Sequence, residues 1–522
     1  MSAETHTIQV VQPPEVCRPG VGRTLARNAL ANFAGQAVLM SLGLLATPYL
    51  VHRFGSARYG VLMLLLTFVN ALSMFQLGFN AALIKYAAEV YAQGRHEEIQ
   101  NYFGTALSLF LVVGTTTAVA LGALARWFVV AIFHVPSDVQ QAAILGFYLA
   151  SGAFLLRFIG DAFSAVPIAA QRFDIVNCIF VSSEVIRISG SVLAVYLGLL
   201  LKAVVTVNLL TNLLFLVANM VGARWLVPTL SVQPRFSREH FRKLFEFSKF
   251  VAISQFASRI SNNLDGVIVA YFLPVAYVAF YAVPQGVCLK IWTFVANITS
   301  VVFPAASALS ISEESKLKEL YLRGSKMVAA VAALPALALC LLSREVLLQW
   351  IGPQFAEQGA LALKLLSCAF LINCLMHIPD AVAQAVGRPR ISARVHALET
   401  LLRVTLLLVF VPRLGITGAA LGYLIAQILL TPWYVNITNR LIGVRWTELL
   451  LNAYAPILVP LTAGCLVFFA LRSRICSLSS LGLIGGAGLG VYALLGAFSV
   501  LDGKERRACL APLGRIGFRF VR

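Results

Sequence analysis

Long apolar runs, separated by short polar or basic breaks, follow one another along this chain from about residue 29 to residue 500. A helix needs about 20 mainly apolar residues to cross the hydrocarbon core of a bilayer. The pattern therefore predicts an all-α polytopic membrane protein with about 14 transmembrane helices, or twelve if two short runs do not span. The predicted spans are residues 29–51, 60–84, 103–125, 139–160, 175–197, 203–223, 248–272, 279–303, 327–343, 359–382, 397–411, 416–437, 449–470 and 480–500.

Composition excludes the soluble classes of protein. Of the 522 residues, 59% are hydrophobic and only 12% are charged, whereas soluble domains carry about 25% charged residues. The mean hydropathy is +0.83. The nine cysteines are scattered, and none of them forms a CxxC pair. The sequence therefore predicts no metal site and no cofactor.

The net charge of +19 is distributed unevenly between the breaks. If the amino terminus is cytoplasmic, 27 of the 41 lysines and arginines fall in cytoplasmic segments and eight on the opposite side. Cytoplasmic loops of membrane proteins carry such an excess of positive residues. The charge therefore predicts that both termini are cytoplasmic, and it does not indicate nucleic-acid binding.

The chain contains an internal duplication. A shift of 219 residues places Gln36 on Gln255 and the turn 54–60 on 273–279, and a shift of 216 places Arg187 on Arg403. Overlap of apolar runs by chance would explain the helices, but it explains the matched arginines less well. Two pseudo-symmetric six-helix bundles plus two C-terminal helices are predicted, with the symmetry axis along the bilayer normal.

The breaks divide the chain into five predicted parts. The longest internal break is basic and is either an amphipathic surface helix or a solvated linker. The parts are a cytoplasmic N-terminal segment, 1–28; an N-terminal six-helix lobe, 29–223; a cytoplasmic linker, 224–247; a C-terminal six-helix lobe, 248–437; and two extra helices with a basic tail, 438–522.

Charged side chains inside spans are costly and normally face a bundle interior or a wet cavity. Six cations fall within the predicted spans, against five carboxylates. One interpretation is a central, slightly positive cavity for an anionic ligand such as a phosphate or pyrophosphate, which arginine and lysine bind well. The predicted cavity cations are Arg259, Lys290, Arg157, Arg187, Lys364 and Arg403.

The alternative interpretation is pairing within each helix. Salt-bridge spacing occurs in Arg157 with Asp161, Glu184 with Arg187, and Glu399 with Arg403. Arg259 and Lys290 have no partner three or four residues away on their own helices, so they are the better candidates for ligand binding.

Uncharged and titratable polar groups add to the predicted cavity. The polar lining predicted from helical spacing is Gln36, Asn70, Gln255, Asn262, Asn263 and Asn373. Titratable groups within spans often form relays. Candidates for ion coupling are Asp265, His377, Asp380 and Glu399, although a structural, hydrogen-bonded role is favoured for His377.

Several diffuse motifs between residues 28 and about 445 resemble one transporter family. They are Asn32, Gln36, the turn Phe54-Gly55 to Tyr59-Gly60, Leu77-Gly78 followed by Lys85 and Glu89, Asp265, Tyr281, Pro304 and the stretch Leu414 to Ala420. Together they resemble the polysaccharide transporter family, the O-antigen and exopolysaccharide repeat-unit flippases. That family belongs to the multidrug/oligosaccharidyl-lipid/polysaccharide exporter superfamily, which also holds multidrug extruders and lipid II flippases.

The resemblance implies two six-helix lobes that work by alternating access in the bacterial inner membrane. The expected function is translocation of an undecaprenyl-pyrophosphate-linked oligosaccharide, a repeat unit of exopolysaccharide, O-antigen or capsule, without enzymatic chemistry. The implied partners are the lipid-linked anionic oligosaccharide, membrane lipids, and a glycan polymerase and glycosyltransferases.

Two alternatives remain open. A cation-coupled drug or metabolite exporter of the same superfamily would favour a carboxylate-rich aromatic cavity. A membrane glycosyltransferase or polymerase would favour long extracytoplasmic loops with acidic residues, and the loops here are short.

Overall fold

The computed structural model describes residues 21–76, 78–299, 306 and 314–500, with only the backbone described at 21–34, 253–263 and a few single positions. Within these ranges every regular element is helical. The N-terminal half contains α1 (Val21–Leu72), α2 (Phe79–Ala92), α3 (His96–Trp127), α4 (Ser137–Ala169), α5 (Phe173–Tyr196) and α6 (Leu201–Leu226).

The C-terminal half begins with α7 and ends with α13, and three further helices follow it. Its helices are α7 (Arg238–Phe272), α8 (Ala276–Thr299), α9 (Glu314–Leu341), α10 (Ser343–Trp350), α11 (Pro353–Cys374), α12 (His377–Ala385) and α13 (Pro389–Ile442). The additional helices are α14 (Trp446–Leu449), α15 (Ala455–Leu471) and α16 (Leu478–Ser499).

Two helices are too long to be single crossings, and each breaks at a glycine. The backbone of Gly55 in α1 has φ 72° and ψ 166°, and that of Gly415 in α13 has φ 61° and ψ −143°. Glycine adopts positive φ without the steric cost of a Cβ atom. Each break therefore lets one continuous helix assignment supply two crossings.

The helices confirm the predicted all-α polytopic fold class. Eleven helical segments of the described residues are long and apolar enough to cross a membrane. The segments that break at Gly55 and Gly415 each hold two helices, and the 35-residue α7 is not among the eleven, so the number of about 14 spans stays a prediction.

Some predicted boundaries were wrong. The predicted span 60–84 is divided, because α1 ends at Leu72 and α2 starts only after Gly78, whose φ is 71°. Within the predicted linker 224–247, α7 begins at Arg238, which agrees with the helical alternative for this segment. The segments 1–20 and 501–522 lie outside the described residues, as do Leu77 and Pro304.

The helix bounds repeat along the chain. A shift of 216 residues carries α4 onto the segment Pro353–Ala385, which is α11 followed by α12. The same shift carries the first residue of α5, Phe173, onto Pro389, the first residue of α13. Gln171, with φ 57°, falls on Gly387, with φ 77°. These coincidences of bounds and backbone conformation support the duplication independently of residue type.

The two halves pack tightly against each other at the end of the bundle that carries Gly55, here called the Gly55 end. A Cβ atom on Gly60 would lie 2.1 Å from the carbonyl oxygen of Val275, so only glycine permits this approach. The indole Nε1 of Trp350 in α10 donates to the carbonyl of Leu44 in α1 at 2.9 Å. The largest apolar core also combines residues of both halves, including Phe54 and Val275.

Candidate functional site

A cavity of about 340 Å³ lies among α1, α4, α5, α6 and α8. This volume is at the lower end of the range for ligand pockets, about 300 to 1,000 Å³. Most of its wall is aliphatic and comes from the N-terminal half. Its polar residues include Gln36, Tyr59, Glu184, Arg187, Asn208 and Lys290.

Arg187 is held on the cavity wall by a carboxylate of its own helix. Its Nε and Nη2 donate to Oε2 of Glu184 at 2.9 and 2.7 Å, which is the pair three residues apart that the sequence offered as an alternative. The side chains of Arg187 and Glu184 remain 29% and 23% exposed. A guanidinium has five N–H donors, so Arg187 keeps donors for a ligand.

Lys290 reaches the same cavity from α8 in the C-terminal half. Its side chain is exposed, and among the described residues no carboxylate lies within ion-pair distance of its ammonium. Among its described lining residues, the cavity thus contains two cations, one from each half, and a single carboxylate, Glu184. The excess positive charge favours an anionic ligand group.

A second polar site lies deep in the C-terminal half. Asp265 and Arg403, whose side chains are 1% and 4% exposed, form an ion pair that joins α7 to α13. Tyr281 donates to Asp265 Oδ2 at 2.7 Å and Gln285 does so at 3.3 Å. The guanidinium of Arg403 lies 3.8 Å from the centre of the Tyr423 ring. This arrangement is called the buried ion pair below.

The suggested pairing of Glu399 with Arg403 was wrong. Arg403 pairs with Asp265, 138 residues earlier in the chain, while Glu399 accepts from the Gln427 amide at 2.5 Å. The cause is tertiary packing. Helix α7 places the buried carboxylate of Asp265 beside the guanidinium of Arg403. The side-chain amide of Gln427 donates to Glu399 instead.

His396 was missed by the sequence prediction. Its Nδ1 lies 3.3 Å from Glu399 Oε2, and its Nε2 lies 3.4 Å from Asp380 Oδ1. Asp380 also accepts from Tyr434 at 2.9 Å and from Ser392. The available signal was the spacing of three residues between His396 and Glu399 on one helix. We call Asp380, His396 and Glu399 the histidine cluster.

Three other predicted cations are placed away from the cavity or outside the described side chains. Arg157 pairs with Asp161 at 3.3 Å and lies 3.8 Å from the centre of the Phe215 ring, as the pairing alternative proposed. Lys364 is exposed on α11 and does not line the cavity. The side chain of Arg259 lies outside the described residues, as do those of Gln255, Asn262 and Asn263.

The remaining predicted polar residues divide between cavity and packing positions. Gln36 lines the cavity, whereas Asn70 is exposed outside it. Asn373 accepts from Trp292 Nε1 at 2.8 Å, and His377 packs against the same indole with ring centroids 5.1 Å apart. Among the described residues, no group of three potential ligands is placed to hold a metal ion.

Comparison with known proteins agrees with this architecture. Residues 53–360 match the family described as polysaccharide biosynthesis protein. A candidate O-antigen transporter of Shigella flexneri is 25% identical over 416 residues, covering 78% of this chain and 96% of that protein.

Solved structures share the fold at low identity. An inward-facing multidrug resistance MATE family transporter of the MOP superfamily gives a TM-score of 0.68 at 14% identity, covering 80% of this chain and 98% of the other. The lipid II flippase MurJ in an inward closed conformation gives 0.63 at 13% identity, covering 91% and 98%. The resemblance noted in the sequence is thereby confirmed, and the chain belongs to the polysaccharide biosynthesis protein family as a multi-pass membrane protein with the MOP superfamily fold.

Proposed function

We propose that the chain is an inner-membrane flippase that moves an anionic oligosaccharide, carried on undecaprenyl pyrophosphate, from the inner to the outer leaflet. The observation that carries this proposal is the cavity whose described lining combines Arg187 of one half with Lys290 of the other and a single carboxylate, Glu184, which pairs with Arg187. The Shigella flexneri relative supports a glycan as the cargo. The chain moves its ligand without altering it chemically.

The charge of the cavity favours a phosphate or carboxylate over a cationic drug. Arginine binds such groups through paired N–H donors, and lysine acts as a compact point charge. Inside a protein these attractions are stronger than in water. A cationic drug would meet an excess of positive charge at Arg187 and Lys290, so the exporter alternative fits this cavity less well.

The placement of the two cations on different halves supports alternating access. A ligand anion bound by both Arg187 and Lys290 links the halves, and rocking of one half against the other separates the cations and weakens the binding. The Gly55 end is closed by Trp350 against Leu44. We assign this end to the outer side, because Arg53 and Arg58 belong to the less basic set of loops.

The same proposal assigns the position of the lipid tail, the side of the termini and the partner enzymes. The lipid tail stays in the bilayer while the head group occupies the cavity between lobes 29–223 and 248–437. Both termini are cytoplasmic. Glycosyltransferases complete the lipid-linked repeat unit before transport, and a polymerase uses it afterwards. Arg259 remains a proposed ligand residue, whereas the contacts of Arg157 and Arg403 favour structural roles.

We assign ion coupling to the histidine cluster, with a proton as the ion. Both ring nitrogens of His396 face carboxylate oxygens, and only the doubly protonated imidazolium can donate to both. The side chain of His396 is 42% exposed, which gives a proton access to it. Of the residues first considered for coupling, Asp380 and Glu399 belong to this cluster, whereas Asp265 is held by Arg403.

The proposal is tested by removing the cavity cations one at a time. Lys290→Met and Arg187→Met are expressed in a strain that lacks the native copy, and surface glycan is measured beside the amount of protein in the membrane. We expect export to fall about tenfold or more at normal protein levels, since an anion in the cavity loses one of its two counter-ions.

Lys364→Met is the matched control, because it removes another lysine from a membrane helix but lies outside the cavity. It should export glycan like the unaltered chain. Export at the original level by both Lys290→Met and Arg187→Met would refute the assigned binding role.

A further inference from the structure

The cavity and the buried ion pair occupy matching places in the two repeats. The shift of 216 residues carries Arg187 onto Arg403. The shift of 219 carries three further cavity residues onto the partners of Arg403: Ala46 onto Asp265, Leu62 onto Tyr281, and Leu66 onto Gln285. All four N-terminal positions line the cavity, and all four C-terminal residues meet at Asp265.

This correspondence does not depend on the match of Arg187 with Arg403, because the bounds of α4 and the start of α5 give the same shift of 216. The shift of 219 is fixed by Gln36 and by the turns 54–60 and 273–279, none of which belongs to the buried ion pair. Four positions that converge in one half also converge in the other. Ala46 and Arg187 thus share one cavity wall, as Asp265 and Arg403 share the buried ion pair.

The side chains around the arginine are polar in the C-terminal half and apolar at the three matching positions of the N-terminal half. In the C-terminal half a carboxylate, a hydroxyl and an amide surround the guanidinium and its partner. In the N-terminal half Ala46, Leu62 and Leu66 provide no hydrogen-bond acceptor and leave space in front of Arg187. The carboxylate that neutralises Arg403 from a neighbouring helix has no counterpart beside Arg187.

The second cation of the cavity, Lys290, has no counterpart at the matching position of the N-terminal repeat. Lys290 lines the cavity, and the shift of 219 carries Ala71 onto Lys290, so the N-terminal repeat has no lysine to offer to the buried ion pair. Compared with the buried ion pair, the cavity has no acid at position 46 and has an additional base, Lys290, from the other half. Both differences raise its affinity for an anion.

We propose that Ala46 is a specificity-determining position that keeps this site open, and that a carboxylate or phosphate group of the cargo takes the place beside Arg187 that the Asp265 carboxylate takes beside Arg403. This inference rests on the proposed function, because it identifies where the anionic group of the cargo binds. An aspartate at position 46 would neutralise Arg187 internally and exclude the cargo.

The test compares Ala46→Asp with Ala46→Asn, which has nearly the same size but no charge. Both variants are purified in lipid nanodiscs, and binding of undecaprenyl pyrophosphate is measured. We expect Ala46→Asp to bind undecaprenyl pyrophosphate at least about tenfold more weakly than Ala46→Asn, because the two side chains differ in charge and hardly in size. Equal binding by the two variants, whether weakened or not, would overturn the inference.

A second measurement tests the geometry without ligand. The melting temperature of Ala46→Asp is compared in the original background and with Arg187→Met. If the new carboxylate reaches Arg187, the aspartate lowers the melting temperature less when the arginine is present. An equal loss in both backgrounds overturns the inference even if the unaltered chain binds the lipid. Failure of the unaltered chain to bind would refute the proposed function instead, and with it the cargo assigned to this site.

Discussion

The same arginine of the repeat serves two purposes in the two halves of the molecule. Arg403 is 4% exposed, is paired with a carboxylate from another helix and lies against an aromatic ring. Arg187 is 29% exposed, is paired only with Glu184 on its own helix and lies on a cavity wall. In one half the arginine belongs to a buried ion pair, and in the other it lies on the wall of the cavity that we propose binds the cargo.

The difference lies in which helices are tied together. The buried ion pair connects α7 to α13, so the C-terminal half cannot open there without exposing two unpaired charges to a low dielectric. In the N-terminal half the ion pair stays within α5, so α1 and α5 can separate around a ligand at no electrostatic cost. A site for a moving cargo needs this second arrangement.

Removal of Asp265 should have the largest effect on stability. In Asp265→Ala, Arg403 remains buried without its counter-ion, and breaking such a pair costs about 3 to 5 kcal/mol of the free energy of unfolding. Thermal unfolding of the purified protein measures this loss. A melting temperature equal to that of the unaltered chain would show that the pair is not structural.

The matched control replaces both partners, as Asp265→Leu with Arg403→Met. Apolar replacement of a whole buried pair is often nearly neutral. The double variant should therefore recover most of the stability that Asp265→Ala loses, although Tyr281 loses its acceptor. If the double variant is less stable than the single one, the network around the pair matters more than its charges.

Arg187→Met should separate stability from transport. The pair with Glu184 is partly exposed and lies within one helix, so its loss should change the free energy of unfolding by less than about 1 kcal/mol. Transport of the anionic cargo should nevertheless fail. A fall in stability comparable with that of Asp265→Ala would mean that Arg187 has the same structural role in its half as Arg403 has in the other.

His396→Gln should remove a dependence on pH. The imidazolium faces Asp380 and Glu399, with Ser392, Tyr434 and Gln427 bonded to the same carboxylates. Glutamine preserves a polar side chain but cannot take up a proton. We expect transport by the unaltered chain to depend on pH, because two facing carboxylates hold the proton that His396 has to release, and transport by the variant to stay flat. The same pH profile in both proteins would exclude His396 as the proton site.

The sequence predicts this fold well because membrane helices depend on simple properties of the chain. The length of apolar runs and the positions of cations define most spans without tertiary information. The division of the predicted span 60–84 was not visible, because the left-handed residue Gly78 lies within an apolar run.

The site could be predicted only in part. Arg187 and Lys290 were found because a charge within a span always needs an explanation. The partner of Arg403 was not predicted, because Asp265 is distant in sequence and becomes a neighbour only through packing of α7 on α13. His396 was overlooked because it follows the basic stretch Arg388 to Arg394, which marks the edge of a span.

The smallest predicted effect concerns the contact between the two halves rather than the charges within them. Trp350→Phe keeps the aromatic ring but removes the N–H donated to Leu44, a bond worth about 1 kcal/mol, which corresponds to about a fivefold shift between closed and open forms at the Gly55 end. A cysteine at Ser56, in an otherwise cysteine-free chain, should react faster with an impermeant maleimide by this factor. Unchanged labelling would mean that apolar packing at Gly60, and not the indole hydrogen bond, holds the halves together.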